Sequence, residues 1–131
     1  MAVQNKLTPV EWEIMEIIWK LGGTPSVRDV VDYAYSNGEK AYTTIQTVMN
    51  TLEKKKVLKR TKTGLVNFYK PLKSRKQIIR TEMSSMVSRI FHGSIPAFAN
   101  YLFDSGQLTL EEIEQVKALL EKKENELRSR S

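Results

Sequence analysis

With 131 residues, of which 40% are apolar and 27% charged, the chain has the composition of a soluble globular protein and the length of one ordinary domain, or of a small domain with an oligomerisation element. It contains no cysteine, which excludes disulfides and thiolate metal sites. The formal net charge of +6 belongs wholly to residues 1–75, which hold 13 Lys and Arg against 7 Asp and Glu, and it indicates a polyanionic partner there.

Residues 76–131 hold eight basic and eight acidic side chains and are expected to serve another purpose. No apolar run approaches the ~20 residues that a membrane helix needs. The first residues of the sequence lack the apolar core of a signal peptide. We therefore expect a cytoplasmic protein that is not inserted in the membrane.

Capping signals predict the first helix. Thr8-Pro9-Val10-Glu11 supplies a Thr N-cap, a Pro at the first helical position and a Glu that completes a capping box. Apolar residues then cover most of the helix circumference up to Gly22-Gly23, where the helix should end. We expect this helix at the centre of the core, with Trp12 and Trp19 packed there rather than exposed as a stacking platform.

Two more short helices are predicted before residue 57. The second starts after the cap Ser26 and stops at Ser36-Asn37-Gly38. The third is expected to start at Thr43, which forms a capping-box pattern with Gln46. Its apolar stripe has helical spacing and consists of Ile45, Val48, Met49 and Leu52. Three short helices joined by tight turns predict a helix-turn-helix arrangement.

Residues 57–71 have the pattern of a β-hairpin. They alternate in polarity, contain Val, Thr, Phe and Tyr, and have Thr63-Gly64 at their middle. A hairpin directly after the third helix is the wing of a winged helix. Without this hairpin, a homeodomain-like or bundle-like fold would compete for the same three helices.

The sequence after Pro71 predicts three further helices, in residues 74–91, after Ser94 and after the cap Thr109. So short a segment, rich in Met, Phe and Leu, makes a poor core by itself, so we expect it to pack against a second copy rather than as an intramolecular bundle. The residues expected in this homodimer interface are Ile79, Met83, Met86, Phe91, Phe98, Leu102, Ile113, Val116 and Leu120.

The predicted fold is therefore mainly α with a small β-hairpin wing. Residues 1–73 are expected to form a winged helix-turn-helix DNA-binding domain, and residues 74–131 a helical dimerisation region.

The outer face of the third helix carries hydroxyl and amide groups and little charge in its first two turns. Gln and Asn can pair in bidentate fashion with adenine, and Thr suits phosphate or thymine methyl contact. The other interpretation is an ordinary solvated face. The predicted base contacts are Thr43, Thr44, Gln46, Thr47 and Asn50.

A basic run follows this face. From Lys54 to Arg75 the sequence has nine Lys or Arg and no Asp or Glu. Such a run beside a polar helix is typical of a phosphate-binding surface, although some of its members will simply be solvated. The predicted phosphate contacts are Lys54, Lys55, Lys56, Lys59, Arg60 and Lys62.

The sequence offers little for catalysis. His92 is the single histidine and stands beside Gly93 at a predicted helix end, where a capping or surface role is expected. Glu111, Glu112 and Glu114 form a helix-start cluster. There is no glycine-rich phosphate loop, HExxH motif or nucleophile elbow. We expect no enzyme, no metal site and no cofactor.

Several short segments of the sequence resemble motifs of one known family. They are Glu-Trp-Glu-Ile-Met-Glu-Ile-Ile-Trp at residues 11–19, Thr44-Ile45-Gln46-Thr47, Leu52-x-Lys54-Lys55, Phe91-x-Gly93 and Gln107-Leu108-Thr109. Together they resemble the BlaI/MecI/CopY repressors of β-lactamase, methicillin-resistance and copper-transport operons, over nearly the full length. The resemblance implies a winged-helix homodimer that binds a TACA/TGTA inverted repeat in double-stranded DNA and represses transcription.

The resemblance also implies a release step. In the β-lactam branch, a membrane sensor-transducer metalloprotease of the BlaR/MecR type inactivates the repressor by cutting an Asn–Phe bond in the C-terminal region. Asn100 and Tyr101 occupy the matching place and form the candidate proteolytic site. The copper branch uses C-terminal cysteines, which this chain lacks, so copper sensing is not expected.

The sequence departs from the family pattern in two places. Those repressors often begin the third helix with Ser-Pro-Lys-Thr, whereas this chain has Ala41-Tyr42-Thr43-Thr44, so its operator preference is expected to differ. The residue after the candidate cleavage point is Tyr101 instead of Phe.

Two other functions stay open from sequence. A protein-interaction adaptor would use residues 76–131 to dock a partner and would not bind DNA, but it has no need of nine uncompensated positive charges. A non-specific or architectural nucleic-acid binder would show salt-dependent binding without a sequence preference.

Overall fold

The computed structural model describes residues 6–130, which form six helices and one two-stranded antiparallel sheet. The elements in chain order are α1 (Pro9–Leu21), α2 (Val27–Ala34), α3 (Tyr42–Lys54), β1 (Leu58–Thr63), β2 (Val66–Pro71), α4 (Arg75–Phe91), α5 (Ile95–Phe103) and α6 (Leu110–Ser129). The predicted fold class, mainly α with a small hairpin wing, is confirmed.

The chain divides into two compact units, and the division falls inside α4, between Met86 and Val87. The predicted boundary after residue 73 lies before this helix. The start of α4 belongs with the first unit because Ile78 is buried in its core. In addition, Glu82 accepts hydrogen bonds from the Leu7 amide at 2.9 Å and from the Trp12 indole at 3.1 Å.

Local capping chemistry fixes the starts of α1 and α2 as predicted. The Thr8 hydroxyl accepts from the Glu11 amide, and the Glu11 carboxylate accepts from the Thr8 amide at 2.9 Å. Ser26 and Asp29 form the same reciprocal pair at the start of α2. Each pair satisfies two amide groups that a helix start otherwise leaves without a partner.

The predicted start of α3 is wrong. The helix begins at Tyr42 with Ala41 as its N-cap, and no side chain among the described residues caps it. Thr43 already lies in the first turn, where its carbonyl accepts from the Thr47 hydroxyl at 2.9 Å. The spacing from Thr43 to Gln46 is that of one helical turn, so the capping-box pattern also arises between two residues inside a helix.

The core of the first unit consists of apolar side chains from α1, α2, α3, the hairpin and the start of α4. Trp12 and Trp19 are partly buried and pack against this core, with their rings 6.0 Å apart in an edge-to-face arrangement. The Trp19 indole donates to the Lys73 carbonyl at 3.1 Å, so both indole N–H groups have acceptors. The buried apolar residues are Leu7, Ile14, Met15, Ile18, Val27, Val30, Val31, Tyr35, Ile45, Met49, Leu52, Val57, Leu58, Tyr69 and Ile78.

The turn from α3 into the hairpin is fixed by backbone hydrogen bonds. Lys56 has a φ of +64°, and the Val57 amide donates to the Leu52 carbonyl at 3.0 Å, which is a Schellman ending of α3. In the hairpin, Leu58 pairs with Pro71 and Thr63 pairs with Val66, so Gly64-Leu65 forms the two-residue turn. The Tyr69 amide also donates to the Pro25 carbonyl at 2.8 Å, which joins β2 to the segment before α2.

The second unit contains the end of α4, the short helix α5 and the 20-residue helix α6, and few of its side chains are buried. His92 and Gly93 have φ values of +52° and +84° and end α4. The helix α5 starts after Ser94, which caps it, and Thr109 caps α6 as predicted, with Glu112 completing a capping box. The Phe91 ring lies 5.7 Å from the rings of both Phe98 and Tyr101. Neither α5 nor α6 has a buried residue.

Among residues 6–130, no helix is both long enough and apolar enough to cross a membrane.

Candidate nucleic-acid interface

The first two turns of α3 present an uncharged polar face. Thr43, Thr44 and Thr47 are exposed, and Gln46 is half-buried. The packing of Ile45 and Met49 in the core, both with no exposed surface, turns this face outward. The Thr47 hydroxyl donates to a backbone carbonyl one turn earlier, which leaves its oxygen as an acceptor.

Asn50 lies on the same side of α3 but is already engaged. Its Oδ1 atom accepts from the Tyr69 hydroxyl at 2.7 Å and from the Arg60 guanidinium at 3.5 Å. Burial raises the pKa of Tyr69, so the phenol stays protonated and remains a donor. The Arg60 guanidinium also lies 4.0 Å from the Glu53 carboxylate. These contacts join the hairpin to α3 through side chains.

Lys55 occupies a different position from the phosphate contact expected for it. Its ammonium group lies 2.6 Å from the Glu11 carboxylate and 3.0 Å from the Lys6 carbonyl. The Lys55 and Glu11 side chains are 23% and 5% exposed. A carboxylate this deeply buried needs a counter-charge, so Lys55 joins the end of α3 to the start of α1.

The other lysines predicted to contact phosphate face solvent. Lys54, Lys56, Lys59 and Lys62 are exposed, and none forms an ion pair with another residue between 6 and 130. Arg60 is exposed as well, although its charge is partly offset by Glu53. These lysines make the surface beside the polar face of α3 positively charged, and such a surface attracts a polyanion.

Sequence reasoning missed a pair that lies next to this surface. The Arg28 guanidinium of α2 stacks over the Tyr42 ring at the start of α3, with its carbon 4.8 Å from the ring centroid. Both side chains are exposed, and Arg28 forms no ion pair within the described chain. The two residues are fourteen positions apart and meet only because α2 packs on α3, so no local signal identified them.

The helices α4, α5 and α6, the first of which is shared between the two units, have apolar side chains at their surface. Of the residues predicted for a dimer interface, Met83, Leu102 and Leu120 are exposed. The other six are half-buried, and these are Ile79, Met86, Phe91, Phe98, Ile113 and Val116. Asn100 and Tyr101, the candidate proteolytic site, are exposed on α5. Between residues 6 and 130 there is no group of three or more His, Cys, Asp or Glu arranged to hold a metal ion.

Three helices, the third with an open polar face, followed by a basic two-stranded hairpin, define a winged helix-turn-helix protein. The penicillinase repressor family matches residues 7–122 of this chain. The chain belongs to the penicillinase repressor family, as the resemblance of its sequence to the BlaI/MecI group predicted.

Several curated relatives support this membership. The chain is 27% identical over 120 residues to the penicillinase repressor of Bacillus licheniformis, and this alignment covers 92% of this chain and 93% of the repressor. It is 23% identical to the methicillin resistance regulatory protein MecI of Mammaliicoccus sciuri, over 90% and 95% of the two chains. Among solved structures, that of the DNA-binding domain of the repressor BlaI is 27% identical, with a TM-score of 0.49 over 56% of this chain and 88% of that domain.

Proposed function

We propose that this protein is a homodimeric transcriptional repressor that places α3 in the major groove of an inverted-repeat operator. The observation that carries the proposal is the outward face of α3, uncharged in its first two turns and bordered by lysines that pair with no carboxylate of the described residues. A helix of this kind fits the major groove, where hydroxyl and amide groups can contact base edges. The names of the relatives, penicillinase repressor and MecI regulatory protein, agree with this function.

The exposed side chains fall into two groups of proposed DNA contacts. Bases are proposed to be contacted by Thr43, Thr44, Gln46 and Thr47, and phosphates by the exposed lysines at 54, 56, 59 and 62. Lys55 is left out because Glu11 neutralises it inside the unit. Asn50 is left out of the base contacts because Tyr69 and Arg60 occupy its carbonyl oxygen.

A second copy of the chain is the proposed partner of the second unit. The helices α5 and α6 bury none of their residues, yet they display Leu102, Leu119, Leu120 and Leu127. Exposed apolar side chains grouped in this way mark a surface that binds another protein. Two coupled DNA-binding units would bind two half-sites, and the first contact would raise the effective concentration of the second.

The proposed release step is proteolysis in α5, in a cytoplasmic protein, by a membrane sensor-transducer metalloprotease of the BlaR/MecR type. Asn100 and Tyr101 are exposed there. The Tyr101 ring packs against Phe91, so the protease would have to unwind α5 locally. Cleavage would detach α6 from the rest of the chain and so remove apolar surface proposed for the dimer.

Fluorescence anisotropy tests the proposed function directly. The intact protein is titrated with a TACA/TGTA inverted repeat and with a scrambled duplex at several salt concentrations. A specific repressor is expected to prefer the repeat by ~10³-fold or more. Equal and steeply salt-dependent binding would instead indicate a non-specific nucleic-acid binder. Failure to bind either duplex would favour a protein-interaction adaptor.

Arg28 is expected to bind a DNA phosphate beside the proposed α3 contacts. In a helix-turn-helix the helix before the recognition helix crosses the DNA backbone. Arg28 lies on that helix and has no acidic partner among residues 6–130. Arg28→Ala should weaken binding to both duplexes and lower the salt slope by roughly one. Lys122→Ala, which removes a charge from α6, is the matched control and should leave the slope unchanged. An unchanged slope for Arg28→Ala would show that its stacking on Tyr42 serves the fold alone.

A further inference from the structure

A buried tyrosine on the hairpin is hydrogen-bonded to α3, the helix proposed to contact bases. Tyr69 on β2 has no exposed surface, and its hydroxyl reaches Asn50 Oδ1 on the third turn of α3 at 2.7 Å. Arg60, the cross-strand partner of Tyr69 on β1, reaches the same oxygen at 3.5 Å. Glu53, one turn after Asn50, lies 4.0 Å from the Arg60 guanidinium. Both strands are therefore tied to one turn of α3.

These contacts occupy the atom that base recognition needs. An amide oxygen has two lone pairs, and here one accepts from a phenol and the other from a guanidinium. Bidentate pairing with adenine requires that oxygen to accept from the base. Because a guanidinium can only donate, the atom facing Arg60 must be the amide oxygen rather than the nitrogen.

We infer that Asn50 is a positioning residue, which with Tyr69 and Arg60 fixes the angle of the hairpin relative to α3. This inference rests on the proposed DNA-binding function. A two-stranded hairpin is marginally stable alone and its orientation must come from its attachments. If the hairpin is already oriented in the free protein, its lysines and the polar face of α3 can contact the same duplex at once. Binding then carries no entropic cost for ordering the hairpin.

The tether can be tested first without DNA, by amide hydrogen exchange of the free protein. Asn50→Ala and Tyr69→Phe should each speed exchange in β1 and β2 by about 3- to 10-fold, the equivalent of one hydrogen bond. Asn50→Asp should keep the protection, because a carboxylate accepts from both Tyr69 and Arg60. Tyr33→Phe is the matched control, since Tyr33 is 56% exposed. Unchanged exchange in both Asn50→Ala and Tyr69→Phe would overturn the inference.

DNA binding then separates positioning from base contact. Asn50→Ala and Tyr69→Phe should lower affinity for repeat and scrambled duplex alike, by about 3- to 10-fold, and the double variant should be no worse than either single one. Gln46→Ala, at a proposed base contact, should instead lose about tenfold on the repeat only. If Asn50→Ala lost affinity only for the repeat while Tyr69→Phe lost none, Asn50 would be a base contact and the inference would be wrong.

The two measurements separate failure of this inference from failure of the proposed function. If the unmodified protein binds neither duplex, the proposed function fails, and hydrogen exchange alone decides whether the tether exists. If the unmodified protein prefers the repeat but the exchange rates of the hairpin amides are unchanged in Asn50→Ala and Tyr69→Phe, the inference fails and the proposed function stands.

Discussion

Replacing Leu120 by aspartate is expected to dissociate the proposed dimer and to reduce operator affinity by about 10²- to 10⁴-fold, the contribution that coupling two binding units makes. Leu120 is 63% exposed on α6 in the single chain, so the change should leave the fold of each chain intact. In the proposed dimer the same side chain is covered, and a carboxylate there would be buried without a partner.

Analytical ultracentrifugation and anisotropy of the full-length variant check this expectation. Ala118→Asp is the matched control, because it introduces the same charge on the same helix two residues away, on the opposite face. The control should stay dimeric and keep its operator affinity. A Leu120→Asp protein that sedimented as a dimer with unchanged affinity would show that this face of α6 is not the dimer surface.

Glu11→Ala is expected to lower the free energy of unfolding by ~3–5 kcal/mol, the usual cost of removing one partner of a buried ion pair. The loss would leave the Lys55 ammonium, now 2.6 Å from Glu11, without its counter-charge. It would also remove the carboxylate that accepts from the Thr8 amide at the start of α1.

Glu16→Ala provides a matched comparison on the same helix. Glu16 forms an equally short ion pair with Arg75 at 2.7 Å, but the two side chains are 39% and 59% exposed. Solvent screens such a pair, so its loss should cost only ~0–1 kcal/mol. Urea unfolding followed by tryptophan fluorescence measures both variants through the midpoint at constant m value. Equal losses would show that burial of the Glu11–Lys55 pair has no energetic consequence.

Lys55→Met extends the same experiment to the DNA surface. The variant should destabilise the first unit, because it leaves Glu11 buried and unpaired, but it should not change the salt slope of DNA binding. A slope lowered by roughly one would return Lys55 to the phosphate contacts expected from sequence.

Features that depend on neighbouring residues were predictable. The capping groups at Thr8, Ser26, Ser94 and Thr109 act within one helical turn, so the residues that start these four helices could be identified from sequence. The hairpin was also predictable, because alternation and a glycine turn are local. The same local logic failed at Thr43, since one-turn spacing also occurs inside a helix and does not by itself mark a helix start.

The sequence by itself therefore determined the order of helices and hairpin, the polar outer face of α3 and the concentration of positive charge in the first part of the chain. Only the tertiary structure decided which polar side chains are free to contact DNA. Lys55 and Lys54 are neighbours of the same type, yet packing of α3 on α1 brings only Lys55 to Glu11, which is 44 residues away. Asn50 meets Tyr69, and Arg28 meets Tyr42, through packing of the same kind. The physical reason is that helix formation depends on neighbours along the chain, whereas the partner of a charged or amide group depends on which distant surface the core brings against it.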